Sequence, residues 1–507
     1  MQFYSGRLRM LSSSIPSASA HGFGSLQRPN MAKFDWFISK SKSDSKPYQF
    51  DGVSWMVENE TRLDPPMGCR GGFLADEMGL GKTIMMIGTF ITNLVPRTLV
   101  VLPSVLLAQW HAEIFRTTGH KALVYHGPEK KSIDLEKLNK SLIVLTTYNS
   151  IAIGKNGVGI LHQVAWDRLV FDEAHHLRNK NSRWLGAKAL QSPIRWLISG
   201  TPIQNKRQDF YNMCSALGLP ASYYASKDNI RSIVENFVLR RTKKEVGISV
   251  PDVQHCRRAV VWSNKHEQKL SEDVHLALRF SPAKLLLLMR ARQMCIYPAM
   301  LKNSVNSMVS DSLLPRDNDY ISATASSSKM DAVAETLLER AGNGNGKLVF
   351  CHFRQEIDVL LERLHAAGLH NVEFFDGRTG QAKRIRTLAG KFEVLVLQIQ
   401  TGCEGLNLQK DFSEVYFVSP DWNPAVEEQA VARCHRIGQT KEVQVFRFEM
   451  DGFQKKKMDT DLDLDLDLEL DLDLDLDLEE ESYTDTLDQY INKTQNKKNI
   501  IRNEILQ

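Results

Sequence analysis

The stretch that most constrains this chain is Asp76-Glu77-Met78-Gly79-Leu80-Gly81-Lys82-Thr83, set between Gly71-Gly72-Phe73-Leu74-Ala75 and the apolar Ile84-Met85-Met86-Ile87. Two glycines let a backbone turn tightly enough to aim its N–H groups at one point. A helix starting there adds the positive end of its dipole. The product is an anion cradle in which Lys82 reaches the β/γ-phosphates of a nucleotide and Thr83 offers its hydroxyl to Mg²⁺. One departure from the general pattern stands out: Asp76 occupies the position where such loops begin with glycine.

A loop of this kind needs a parallel sheet behind it, and the sequence supplies one. Short apolar, β-branched runs recur at Thr98–Leu102, Leu142–Tyr148, Arg168–Phe171 and Arg195–Ser199, with helical patterns such as 106–115 between them. Such alternation reads as an α/β fold with helices on both faces of the sheet. Ligand groups in these folds lie just past the carboxyl ends of strands. Asp172-Glu173-Ala174-His175 and Ser199-Gly200-Thr201 both fall there. Asp172 is placed to hold Mg²⁺ through its water shell, and Glu173 to orient or deprotonate an attacking water. Upstream, Phe50, Val53 and Trp55-Met56-Val57 fit one helical face. A glutamine just before that helix, Gln49, is suited to an adenine edge.

A second strand–helix alternation runs through Lys347–Cys351, Val372–Phe375, Val394–Gln398 and Val415–Val418, without a phosphate loop of its own. It carries Gln429, Arg433 and Arg436, read as lying on one helix after Asp421-Trp422-Asn423-Pro424, with the two arginines three apart on a shared face. Two guanidiniums facing a cleft can neutralise charge on a transferring phosphoryl group. Between the two α/β regions, 216–330 reads as a helical insertion, with a basic cluster Arg240-Arg241-Thr242-Lys243-Lys244 and a Ser/Asn/Asp-rich linker from Asn303 to Ser328.

The seven cysteines are scattered with no Cys-x-x-Cys pair, against a zinc module or disulfide framework and in favour of a reducing compartment. No apolar run reaches the ~18 residues of a membrane span. The net charge of +4 hides a split: Asp459 to Glu481 holds 13 acidic side chains and no basic one, which leaves +17 for the remainder. So basic a body favours a polyanionic partner, nucleic acid first. The Asp-Leu repeat is expected to be disordered, since period-two alternation would line every carboxylate on one strand face. Residues 451–507 are read as an acidic low-complexity tail: first a repeat expansion without function, and as the alternative a segment that binds basic partners or folds back on the basic body, where it would compete with DNA. Residues 1–44 are read as a disordered N-terminal tail. Its first 30 residues, Ser-rich with Arg7, Arg9 and Arg28, fit a tail or an upstream start ahead of Met31, and secondarily a transit peptide.

Taken together, these blocks resemble the Swi/Snf-type ATPases of helicase superfamily two, from about Lys46 to Phe448. Tyr48-Gln49 is similar to the family's adenine-contacting segment, and Asp76–Thr83 to its phosphate loop, Asp76 included. Asp172–His175 resembles its Mg²⁺ and water-activating box, and Ser199–Asn205 its coupling motif. Thr401–Leu408, with Gly405, is similar to the motif touching both DNA and nucleotide, and Gln429–Gln439 to the arginine-finger motif. Phe237–Lys243 and Arg292–Pro298 resemble family segments of the helical insertion. Ala432 and Glu404 depart from the family pattern.

The resemblance implies two RecA-like lobes, 45–215 and 331–450, using ATP and Mg²⁺. Lys82, Glu173, Arg433 and Arg436 would be catalytic. Tyr48, Gln49, Asp76, Glu77, Met78, Gly79, Leu80, Gly81, Lys82, Thr83, Gly405 and Gln429 would bind nucleotide, and Thr83 and Asp172 the metal. It also implies double-stranded DNA as partner, nucleosomes or other DNA-bound proteins as targets, no membrane, and a nuclear location. A mitochondrion or a viral replication site are the alternatives. The function the resemblance implies is an ATP-dependent translocase on double-stranded DNA that remodels protein–DNA complexes in chromatin remodelling, repair or transcription; a strand-separating RNA or DNA helicase and a non-catalytic DNA-binding scaffold are the alternatives.

Overall fold

The computed structural model describes residues 31–41, 46–154, 157–200, 207–317, 319–325, 327–388, 390–402, 406–453 and 484–506. The chain divides into two compact units, Met1–Ser249 with Ile501–Gln507, and Val250–Ile500. Each is built on a parallel sheet.

The first unit contains β1 (Arg70–Leu74), β2 (Thr98–Leu102), β3 (Leu123–Tyr125), β4 (Ile143–Thr147), β5 (Arg168–Asp172), β6 (Ile194–Ile198) and β7 (Val238–Leu239), in the order β3-β4-β2-β5-β6-β1-β7. Successive side chains of a strand point to opposite faces, and here both faces are covered. Leu99, Val101, Leu169 and Phe171 join one apolar core. Their neighbours Val100, Leu102 and Val170 join the other. Helix Pro47–Thr61 is tied to the sheet's far end by Glu60, whose carboxylate takes Arg168 at 2.6 and 2.5 Å and Trp196 at 2.8 Å, all buried. A buried ion pair satisfied this fully fixes the helix against β5 and β6.

The second unit contains β8 (Val253–Val260), β9 (Gly346–Cys351), β10 (Val372–Phe375), β11 (Val394–Gln398), β12 (Phe412–Phe417) and β13 (Val443–Met450), in the order β10-β11-β9-β12-β13-β8. The same alternation splits Val349, Val394, Val396 and Tyr416 from Leu348, Leu395, Leu397 and Val415.

The expected disordered tail does not run to residue 44: Ala32–Ser41 is a helix whose Phe34, Phe37 and Ile38 are buried in the first unit's core with Val53 and Met86. Three further expectations need correction. The stretch 216–330 is not an insertion apart from the sheets. Helix Ile230–Phe237 buries Ile233 and Phe237 in the first unit's core and leads into β7. β8 extends the second sheet along β13. Both strands lie at a sheet edge, which is why basic residues such as Arg257 and Arg258 are tolerated in β8. The span Asn303–Ser328 is not a plain linker. It carries helices Val305–Ser310 and Tyr320–Ala323, and Val305, Met308, Leu314 and Tyr320 are buried in the second core. A few buried apolar side chains outweigh a polar composition.

The third correction concerns the C-terminus. The Asp-Leu repeat lies outside the described residues, but the chain beyond it is no tail. Residues 487–506 form a helix, Leu487–Leu506, with Leu487 and Ile491 in the second core. Asp488 forms a fully buried ion pair with Lys329 and accepts the Met450 N–H at 3.0 Å. The Phe453 N–H donates to the Thr484 carbonyl at 2.6 Å, so the two ends of the segment between them meet. Truncation before Thr484 is therefore expected to cost the second unit about 3–5 kcal/mol by leaving Lys329 buried and unpaired. Excising 454–483 and rejoining with a short Gly/Ser bridge is expected to shift its stability by less than about 1 kcal/mol. Denaturant unfolding of the two deletions beside the full chain checks both.

The same helix start sets an acid limit. His275 donates from Nδ1 to the Ser271 carbonyl at 2.7 Å, and its Nε2 accepts the Leu487 N–H at 2.9 Å. Burial pushes its pKa down to about 4 from the ordinary 6.5. The unfolded chain thus binds a proton that the folded chain refuses. Stability is complete above pH 6.5 and falls as pH drops toward 4, with a slope of up to about 1.4 kcal/mol per pH unit. His275→Gln is expected to flatten that slope in unfolding curves taken at about pH 7, 5.5 and 4.5.

Candidate nucleotide site

Three strands that are neighbours in the first sheet, β5, β6 and β1, end beside one another, and each delivers chemistry at its carboxyl end. After β1 the chain turns through Gly79 and Gly81 and starts helix Lys82–Thr92. Gly81 holds φ +83°, and a Cβ there would stand 2.6 Å from Gln49 Nε2. Only glycine takes that position without strain. Lys82 Nζ donates to the Asp76 carbonyl at 2.7 Å, folded back over its own loop. Ser199, at the end of β6, donates its N–H to the Leu74 carbonyl at 3.2 Å. A Cβ on Gly200 would lie 3.1 Å from Met78 and 3.5 Å from Lys82 Nζ. The loops after β1 and β6 therefore touch.

β5 brings the carboxylates. Asp172 is buried, accepting Trp110 Nε1–H at 2.7 Å on Oδ2 and the Glu173 N–H at 3.0 Å on Oδ1. Burial and the neighbouring Glu173 charge raise it to about 7, with Lys82 acting in the opposite sense. Glu173 sits in the left-handed region, φ +51°, a strained conformation for a residue with a Cβ. His175 Nδ1 stands 3.3 Å from Glu173 Oε2. Burial and His175 depress His176 to about 4, so it stays neutral. Two adjacent acids, Asp172 buried and driven toward its protonated form and Glu173 half-buried beside it, form a donor set short of a cation. That fits Mg²⁺, with Asp172 and the Thr83 hydroxyl as the oxygens to hold it or its waters. The loop N–H groups and Lys82 fit a nucleotide's phosphates.

Tyr48 and Gln49 are not ahead of the helix but in its first turn, because Pro47 is accommodated at N1 and starts it there. Both are buried and point at the phosphate loop: Tyr48 Oη donates to the Leu80 carbonyl at 3.1 Å and Gln49 Nε2 to the same oxygen at 3.2 Å. They brace the loop in this conformation.

In the second unit, helix Pro424–Val431 ends before the arginines. The chain tightens into i→i+3 turns, Arg433 N–H to the Ala430 carbonyl and Cys434 N–H to the Val431 carbonyl, and Cys434 is buried. Arg433 and Arg436 therefore lie in turns and not on a common helix face. Arg433 Nε donates to the Gln429 carbonyl at 3.1 Å, and Arg436 donates to Asn407 Oδ1. Burial and the Arg433 charge lower Arg436 from its usual range. Two like charges held close are relieved by an anion. Gln429 is buried, and its Nε2 has no hydrogen-bond partner among the described residues. Gly405 and Thr201–Asn205 lie outside the described residues.

Sequence reasoning missed Arg241 and Lys243. Arg241 forms a bidentate pair with Asp76, 3.1 and 2.5 Å, and donates to the Tyr48 carbonyl at 2.5 Å. Lys243 Nζ pairs with Glu77 Oε1 at 2.7 Å. The signal available was two adjacent acids in an anion-binding loop, which need cations, and an unassigned basic cluster.

The comparisons agree with the geometry. The SNF2-related domain model matches residues 48–307 and the helicase conserved C-terminal domain model residues 328–438. Among similar proteins is a "DNA excision repair protein ERCC-6-like" of Danio rerio, 25% identical over 77% of this chain and 34% of its own length. A "Probable global transactivator" of Orgyia pseudotsugata multicapsid polyhedrosis virus is 29% identical over 80% of this chain and 86% of its own length. The "ISWI chromatin-remodeling complex ATPase ISW2" of Saccharomyces cerevisiae is 27% identical over 84% of this chain and 41% of its own length. The chain thus spans about a third of the first relative and two-fifths of the third. With one family model covering 260 of its 507 residues and a second further along, the chain belongs to the SNF2-related family of Swi/Snf-type ATPases.

Proposed function

We propose that this protein hydrolyses ATP with Mg²⁺ when stimulated by double-stranded DNA, and uses that hydrolysis to translocate along duplexes and remodel the proteins bound to them. The observation that carries the reading is the meeting, past β1, β5 and β6, of a glycine-turned loop bearing Lys82 with a buried carboxylate and a strained glutamate. In the reaction, Lys82 leaves the Asp76 carbonyl for the β/γ-phosphates. Asp172 and Thr83 would hold the metal, whose chemistry there would be positive charge beside the phosphoryl oxygens. Glu173, with His175 Nδ1 3.3 Å away, would orient the attacking water and take its proton. Arg433 and Arg436 answer the remaining charge, and Gln429 supports the nucleotide.

The basic body favours a nucleic-acid partner, and the relatives' names, a repair protein and a chromatin-remodelling ATPase, favour DNA carrying other proteins in a nucleus. ATP hydrolysis measured alone and with duplex DNA, single-stranded DNA or RNA, beside a strand-displacement assay, tests the proposal. Duplex-stimulated turnover without displacement is the expected result. Displacement would favour an unwinding helicase, and no turnover under any condition a scaffold.

A further inference from the structure

We infer that Arg241, with Lys243, is a positioning residue that holds the phosphate loop in its nucleotide-competent conformation. This rests on the nucleotide reading above and assigns Asp76, the departure at the loop's first position, a purpose. The chain leaving β7 runs on beside the loop: the Ala75 N–H donates to the Leu239 carbonyl at 2.7 Å and the Glu77 N–H to the Arg241 carbonyl at 2.9 Å. Side chains then lock the same register. Arg241 holds both Asp76 oxygens, Lys243 Nζ holds Glu77 Oε1, and the Lys243 N–H donates to Glu77 Oε2 at 2.7 Å.

The clamp reaches the loop's working parts through few steps. The Asp76 carbonyl is the oxygen that takes Lys82 Nζ, so the residue Arg241 fixes is also the rest position of the phosphate-binding lysine. Arg241 Nη1 donates to the Tyr48 carbonyl, and its guanidinium lies 5.6 Å from the centre of the Tyr48 ring. The Tyr48 hydroxyl in turn holds the Leu80 carbonyl. One guanidinium thus secures both ends of the Asp76–Gly81 turn, the first directly and the second through Tyr48. Space is reserved for it: a Cβ on Gly52 would lie 2.8 Å from Arg241 Nη2. The Asp76 side chain is fully buried, whereas Glu77 is 38% exposed, so the Arg241 pair is the stronger of the two.

A glycine-rich turn is conformationally permissive, and a loop competent for only a fraction of the time binds its ligand more weakly by that fraction. Removing the clamp therefore acts on nucleotide affinity ahead of the chemical step. Arg241→Gln is expected to raise KM for ATP, and Kd for a fluorescent ADP analogue, by about 10-fold, with kcat at saturating ATP within about 3-fold of wild type. Arg241→Lys, which keeps the charge without the planar fork, should recover part of the affinity. Asp76→Asn combined with Arg241→Gln should be no worse than the more severe single change, because the two act through one contact. Glu77→Gln, at the more exposed pair, should raise KM several-fold and keeps the test open if Arg241 variants do not fold. Melting curves accompany every variant, and a lowered Tm with unchanged KM and Kd in Arg241→Gln and Glu77→Gln overturns the clamp. Lys82→Ala in the same series separates the two claims: full nucleotide binding and turnover in that variant would overturn the nucleotide reading itself, whereas its loss beside an unchanged Arg241→Gln overturns only the clamp.

Discussion

Glu173→Gln is expected to bind ATP with Mg²⁺ at close to wild-type affinity and to turn it over about 10²- to 10⁴-fold more slowly, the range lost with a positioned general base. The amide keeps the size and hydrogen-bonding reach of the carboxylate but accepts no proton. It also removes the charge that helps to raise Asp172, so metal binding in the variant should hold or weaken slightly, never fail. The strained backbone of Glu173 argues that this side chain is aimed for a purpose, since a left-handed residue with a Cβ costs of order 1–3 kcal/mol. Lys82→Ala is the contrasting loss, with phosphate binding itself weakened. Equilibrium binding of a fluorescent ATP analogue and steady-state hydrolysis with saturating duplex DNA distinguish the two. Near-normal turnover in Glu173→Gln would remove it from the role of base.

Legibility in the sequence divides along physical lines. The phosphate loop, the acids after β5 and the buried strands are legible because each rests on local chemistry: glycine torsion, strand hydropathy, carboxylates at a strand end. The clamp is not, because Asp76 and Arg241 are 165 residues apart and meet only when β7 joins β1. β7 itself has two residues, and β8 carries Arg257 and Arg258, so neither announces itself by hydropathy. Composition misleads twice. Ser- and Asn-rich chain at 303–328 sends Val305, Met308, Leu314 and Tyr320 into the second core, and the residues after the acidic repeat close a buried ion pair. In both places a few buried contacts decide the structure while the exposed majority sets the composition. The arginines are found by spacing, yet the helix expected to carry them ends at Val431. Their turn geometry depends on burying Cys434, which no periodicity reports.

That turn geometry bears on the second large effect. Arg436→Ala is expected to leave ATP affinity within a few-fold and to lower kcat by about 10³- to 10⁵-fold, the range associated with arginine fingers, with Arg433→Ala similar. On the proposed reading affinity would rest on the phosphate loop, which Tyr48 and Gln49 brace and which this substitution leaves alone. The transition state differs from the ground state by charge spreading over the phosphoryl oxygens, and only there do the guanidiniums add stabilisation. Arg436 is tethered to Asn407 and Arg433 to the Gln429 carbonyl, so each side chain is already restrained within its own unit and gives up little freedom on reaction. Their mutual repulsion, visible in the lowered Arg436, means that an anion between them is welcomed by both. Arg436→Lys keeps one charge without the planar fork and should recover only a small part of the rate. Asn407→Ala should lower kcat by less than the arginine change, since it loosens the tether and leaves the charge. Single-turnover hydrolysis at saturating ATP, beside binding measured without turnover, reads the two quantities apart. Weakened binding with an unchanged rate at saturation would place both arginines outside the transition state.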